Sequence, residues 1–397
     1  MAFLPRFLST LPFLLLLLLS GVISISACTG RRCKQIENRK IVVFPRANGD
    51  SGGSGLCFID SIVNFGDSIS DTGNLLRQGG AFATIIGNLP YGETNPAGPT
   101  GRCSDGLLIV DNIASALGVP KLPPYLDSSA NFDRGLNFAV AGATALSQST
   151  LSGIGVALPY TTSSLEVQVG WFKQYLASVC SSTEDCLNKL KKTLFLVGEI
   201  GGNDYNFALM QNKTLDEVKA LVPQVVSMIM EGIQSLIGYG ARQVIVPGNF
   251  PIGCMPSYLT VFGGNGRDEK GCISELNEFA KFHNDHLQDS LRNLRKVNPN
   301  VTMGYADYYY SFLEMVNNPG NYGLDESSML QACCGTGGSY NFNSAQMCGG
   351  PGVPVCADPS KSISWDGIHL TQSAYEIMAN QLISKTEFMK DWKCNES

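Results

Sequence analysis

Short apolar or β-branched runs recur at residues 61–65, 136–140, 193–197, 243–246 and 301–305, and the stretches between them carry helical patterns. Brief strands separated by long helical intervals predict parallel strands joined by crossover helices, an α/β architecture around a central parallel sheet. The clearest helix signal is S-E-L-N-E-F-A-K-F-H-N-D-H-L-Q-D-S-L-R-N-L at 274–294. There Leu276, Phe279, Phe282, Leu287, Leu291 and Leu294 recur at helical spacing, so an amphipathic helix leads into the last strand. It sets His283 and His286 on one face at i, i+3, which reads as a solvated face in preference to a metal site with Asp285. No repeat or low-complexity tract interrupts the body, which predicts one domain over 57–397.

The first residues deviate from this pattern. Arg6 precedes an apolar block that ends at Leu19, followed by small residues at Ser24 and Ser26. This is the layout of a secretory signal peptide, 1–26, cleaved after Ser26 or Ala27. Its apolar block is shorter than the ~20 residues a membrane span needs, and no later segment reads as a span, so stable membrane insertion is not expected. Residues 27–56, with G-R-R-C-K and a Gly/Ser run, read as a flexible lead-in or removable pro-segment. The expected location is extracellular, with another secretory compartment such as the vacuole as the alternative.

That location changes the reading of the thirteen cysteines, which should mostly pair where the surroundings are oxidising. Local spacing suggests Cys28 with Cys33, Cys180 with Cys186 and Cys254 with Cys272, and the odd count leaves one unpaired or processed away. Cys333, Cys334, Cys348 and Cys356 allow a zinc reading, but adjacent cysteines in a Gly- and Pro-rich stretch favour a disulfide-stapled loop. N-x-[ST] sequons at Asn212, Asn300 and Asn395 fit a secreted glycoprotein. Composition adds one exclusion. With 44% hydrophobic and 16% charged residues and a net charge of −6, the 397-residue chain can build a large core but offers no basic face to nucleic acid.

Candidate chemistry begins where the first strand ends, in N-F-G-D-S-I-S-D-T-G-N at 64–74. A serine there is a nucleophile only if a base can take its proton and a third group orients that base. Of three histidines, His369 in S-W-D-G-I-H-L-T follows Asp366 by three residues. That spacing lets the carboxylate reach Nδ1 of the imidazole, although Asp366 would serve equally as a helix cap. Two further strand ends carry glycines: Gly142 in N-F-A-V-A-G-A-T-A-L, and Gly201-Gly202 before Asn203 in G-E-I-G-G-N-D-Y. Either could present donors to an oxyanion, or simply make a tight turn and a cap.

Taken in order, these four blocks resemble the plant GDSL esterase/lipase family of SGNH hydrolases. P-Y-G-E-T, P-T-G-R-C-S-D-G and C-C-G-T-G-G-S-Y-N-F-N are similar as well, so the resemblance covers nearly all of the chain after Cys57. It implies a three-layer αβα, flavodoxin-like fold. It also implies Ser68 as nucleophile, His369 as base and Asp366 as its orienting acid. The Ser68 amide, Gly142 and Asn203 would form the oxyanion hole, with Asp67, Asp71 and Asn74 shaping the loop. No metal or cofactor is implied. The expected activity is that of a secreted, monomeric serine esterase cleaving small carboxylic esters, such as acetylated specialised metabolites, through an acyl-serine. An acyltransferase with the same triad is the alternative, and a non-catalytic binding or defence protein a more distant one. The chain has no G-x-S-x-G, which argues against the nucleophile elbow of ordinary α/β-hydrolases.

Overall fold

A computed structural model describes residues 59–263 and 266–384, which belong to one compact unit spanning Ser54–Ser397. The expected signal peptide at 1–26, the lead-in at 27–56, Cys28, Cys33 and the sequon at Asn395 lie outside the described residues.

Five strands, β1 (Ser61–Phe65), β2 (Gly135–Asn137), β3 (Thr193–Val197), β4 (Gln243–Pro247) and β5 (Thr302–Ala306), form one sheet. All pairings are parallel and the order is β2-β1-β3-β4-β5. In this doubly wound arrangement β1 lies between β2 and β3, so sites assemble beyond the carboxyl ends of these strands. The periodicity locates each strand to within a residue except β2, which is three residues long and begins at Gly135. The Asn137 side chain accepts the Ala139 N–H at 2.9 Å, turning the chain out of the ladder, although Phe138 and Val140 still donate to Asn64 O and Gly66 O.

Helices cover both faces. One layer packs α2 (Leu165–Val179), α4 (Leu215–Tyr239) and α5 (Ser274–Val297) together, and the other packs α1 (Ile109–Ala116) and α6 (Tyr308–Asn317) against α7 (Gln372–Ser384). Helix α3 (Gly202–Met210) follows β3 and packs on α4. The β1, β3 and β4 strands are buried almost throughout, as a sheet sandwiched between helices requires. Phe172 of α2 meets Phe65, Phe138 and Phe195 edge-on at ring-centroid distances of 5.9, 5.9 and 5.5 Å, fastening α2 to β1, β3 and the segment just after β2.

Two expectations about helices need correction. Helix α4 is, by length and composition, apolar enough to cross a membrane. However, Val218, Val222, Val225, Ile229, Ile233 and Leu236 are buried inside the molecule, so its apolarity serves the core. Its start is fixed by a capping box, in which Thr214 Oγ1 accepts from Glu217 N–H and Glu217 accepts from Thr214 N–H. Helix α5 continues to Val297, and His283 is not solvated. It is 1% exposed, and its Nδ1 lies 2.7 Å from Tyr205 Oη. Burial, then His286, pushes its pKa down to about 4, so the ring is neutral. Phe282, expected in the buried stripe, is exposed and packs on His286.

Four disulfides occur among the described residues. Cys180–Cys186 and Cys254–Cys272 follow the spacing argument, while Cys333–Cys356 and Cys334–Cys348 staple the Gly-rich loop. Asn212 and Asn300 are both exposed. Truncating the fully buried Phe172 should leave a cavity between β1, β3 and the segment after β2. Phe172→Ala is expected to cost about 3–5 kcal/mol of unfolding free energy in a denaturant titration.

Candidate active site

The chain leaves β1 at Gly66, whose φ of +144° and crowded surroundings exclude a side chain: a Cβ there would lie 2.8 Å from Glu199 O. Buried Gln168 of α2 clamps this residue, accepting from Gly66 N–H at 2.9 Å and donating to Gly66 O at 2.8 Å. The next residues form a tight turn in which Asp67 O accepts from Ser70 and Asp71 N–H. Ser68 sits on this turn, 8% exposed, and neither its hydroxyl nor its backbone N–H has a hydrogen-bond partner among the described residues.

The three supporting residues hold the turn. Asp71 takes four backbone N–H groups: Gly73 and Asn74 on Oδ1, and Leu75 and Ala141 on Oδ2, at 2.6–2.9 Å. Asn74 donates to the carbonyls of Asn137 and Ala139, both at 2.8 Å. Together they tie the β1 loop to the segment after β2 and so position Gly142, with φ +84°. Its N–H also lacks a partner among the described residues. Asp67 accepts Ile69 N–H on Oδ1 and Asn203 Nδ2 on Oδ2, both at 3.0 Å. Asn203 gives its other amide proton to Ala143 O at 3.0 Å, and Asp204 accepts from Ala145 and Leu146 N–H. The G-G-N-D block is thus locked onto the residues that follow Gly142.

On the opposite wall, Asp366 and His369 face each other in one turn before α7. His369 Nδ1 lies 2.6 Å from Asp366 Oδ2, and Asp366 Oδ1 accepts the backbone N–H of Ile368 and His369. Asp366 therefore does both things its spacing allowed, orienting the ring and capping the turn. Burial raises its pKa, but the facing His369 charge and these hydrogen bonds outweigh that and hold it at about 2. Burial alone would lower the His369 pKa; the Asp366 carboxylate, then the neighbouring Cys103, push it well above the ordinary imidazole value. No hydrogen bond joins Ser68 to the ring. The two walls meet through aromatic contacts: Phe82 stacks near His369 at 6.5 Å and on Tyr160 at 4.9 Å. Tyr160 in turn covers Gly142, where an added Cβ would lie 2.9 Å from its Cβ.

Several residues here were not singled out from the sequence. Tyr91 of P-Y-G-E-T donates its hydroxyl to Asp366 Oδ2 at 2.8 Å, and Cys103, the free cysteine among the described residues, lies buried against His369. Asp105 of the same P-T-G-R-C-S-D-G block accepts Gln372 N–H at 2.6 Å, docking the block on the start of α7. These blocks were visible as motifs, but the partner of each is over 260 positions away. Glu199 was legible as a lone acid in an apolar strand end. Gln168 carries no local signal.

Comparison with known proteins fits this geometry. A family model described as GDSL-like Lipase/Acylhydrolase matches residues 62–382. Acetylajmalan esterase 1 of Rauvolfia serpentina is 44% identical over 345 residues, covering 86% of this chain and 90% of that one. A GDSL esterase/lipase of Arabidopsis thaliana is 46% identical over 346 residues, covering 85% and 87%. One consequence can be measured without a substrate. Tyr91→Phe removes a donor from a buried carboxylate, which should cost about 1.5–3 kcal/mol of stability. Asp366 should then pull harder on the imidazolium, so the His369 ring resonances should titrate at higher pH than in the parent.

Proposed function

Because this chain belongs to the GDSL-like lipase/acylhydrolase family of carboxylic ester hydrolases, we propose that it cleaves its ester through an acyl intermediate on Ser68. The observation that carries this reading is the buried Asp366–His369 pair at 2.6 Å. With Nδ1–H committed to Asp366, the tautomer leaves Nε2 free to accept the Ser68 proton as Oγ attacks the carbonyl carbon. Protonated His369 then returns that proton to the departing alcohol. Water, deprotonated by the same nitrogen, hydrolyses the acyl-enzyme and restores Ser68.

Charge develops on the carbonyl oxygen in both steps. Two backbone N–H groups without acceptors among the described residues, at Ser68 and Gly142, support a donor pair for it, since buried N–H groups are rarely left unpaired. Asn203 is the third donor. Both its amide protons are engaged at rest, so one bond must give way. The neutral Ala143 carbonyl competes with a developing oxyanion less well than the Asp67 carboxylate does, and is the partner to be exchanged.

The substrate we propose is a small ester, an acetyl ester of an apolar alcohol in particular. Phe82 and Tyr160 beside His369 offer flat apolar surface to such an alcohol, and relatives named as acetylajmalan esterases support the acyl group. The four disulfides support passage through an oxidising secretory compartment.

A fluorophosphonate probe should label the parent at Ser68, and Ser68→Ala should abolish turnover without loss of folding; labelling elsewhere would sink the assignment. Asn203→Ala should lower kcat by about 10²–10³ with KM nearly unchanged. The pH profile follows from the raised His369 pKa. The base works only when neutral, so kcat/KM should still be rising with pH above the ordinary imidazole range of about 6.5. Asp366→Asn removes what raises that pKa, so the residual activity should show its acid limb at lower pH. Non-reducing mass spectrometry of secreted protein should find the four disulfides intact and glycan on Asn212 or Asn300.

A further inference from the structure

Behind the oxyanion side of the cleft lies an acid that the mechanism does not use. Glu199 is 4% exposed at the end of β3, where its Oε1 accepts Gly202 N–H at 3.2 Å. Its carboxyl group hydrogen-bonds the carboxyl group of Asp67, and the two chains also join through Asp67 N–H to Glu199 O at 3.1 Å. Two carboxyl groups in buried contact cannot both be ionised unless a cation neutralises them. Among the described residues, the ionisable groups that act most strongly on this pair are Asp71, Asp204, Tyr205, Tyr258, Tyr308, Tyr375 and His369, none of them Lys or Arg. The one base among these, His369, acts on Asp67. The counter-charge at Glu199 is then a proton.

We propose that Glu199 is a positioning residue that acts in its protonated form, donating to Asp67 so that Asp67 grips Asn203 Nδ2 while the pair keeps a single negative charge. This rests on the assignment of Asn203 to the oxyanion hole. The chemical sense is electrostatic. Asp67 lies next to the residue whose attack creates an oxyanion, and a second negative charge there would oppose that step. The hydrogen bonds place the proton: Asp67 accepts from Ile69 N–H and Asn203 Nδ2, whereas Glu199 accepts from Gly202 N–H alone, so Asp67 keeps the charge and Glu199 the proton, and burial raises both acids. Because an ester substrate is neutral, the effect should fall on charge development and leave binding alone.

The test is a comparison of kcat and KM for p-nitrophenyl acetate in the parent, Glu199→Gln, Glu199→Leu, Asn203→Ala and the Glu199→Leu/Asn203→Ala double variant. Glu199→Leu should lose up to ~10²-fold in kcat at unchanged KM, and Glu199→Gln, whose amide donates to Asp67 and accepts from Gly202, should recover at least about tenfold of that loss. In the Asn203→Ala background, Glu199→Leu should change kcat by less than about twofold, because the grip no longer has anything to hold. Infrared spectroscopy at neutral pH should show a protonated-carboxyl band in the parent that is missing in Glu199→Gln. A Gln variant as impaired as Leu, additive losses in the double variant, or the absence of that band would each overturn the proposal. Parental kcat in Asn203→Ala would instead sink the oxyanion reading. If Glu199→Leu does not fold, the infrared comparison decides.

Discussion

The carboxylate of Asp71 is the constraint on which the cleft depends. It is fully buried, and its four N–H donors come from the turn after β1 and from Ala141 beyond β2, two segments that Asn74 and the backbone bonds of Phe138 and Val140 also tie together. A neutral amide in its place would offer one acceptor atom to donors that arrive from several directions, and a hydroxyl would reach fewer still. Burial alone raises its pKa, and the converging backbone N–H groups work against that rise. The turn that carries Ser68 and the segment that carries Gly142 are therefore held together in large part by a side chain that bonds to neither residue.

The same economy of contacts explains how much could be read in advance. The strands were legible because a sheet buried on both faces needs near-continuous apolar runs, and the candidate site blocks were legible because glycines, acids and a histidine are unusual at strand ends. What stayed hidden was interaction at a distance. His283 looked solvated because F-H-N-D-H is polar, yet Tyr205 of α3 gives its imidazole a hydrogen-bonding partner and closes over it. Tyr91 was an unremarkable letter in P-Y-G-E-T until Asp366 supplied its partner. Helix α4 misleads in the opposite direction, since a core helix and a membrane span obey the same apolarity and only packing separates them.

The cleft is also electrostatically lopsided. The Asp67 and Asp71 carboxylates are buried on the side of Ser68, each with backbone N–H donors, and the Asp366–His369 pair stands opposite. Arg102 is spent elsewhere, on a buried bidentate bond to Asp111. In the proposed mechanism such surroundings favour the imidazolium that forms when His369 accepts a proton. In the same mechanism they make the donors to the oxyanion matter more, because the background field opposes its charge.

The placement of β1 has a further consequence for how the protein is made. The first strand among the described residues is interior to the sheet, paired on one side with Gly135–Asn137 and on the other with Thr193–Val197. As the polypeptide emerges from the ribosome, Ser61–Phe65 must wait for more than a hundred further residues before its second edge is satisfied. Throughout that interval an apolar strand with open edges is exposed to other nascent chains. The segment up to β3 is therefore one over which chaperone supply and translation speed bear on the yield of folded protein.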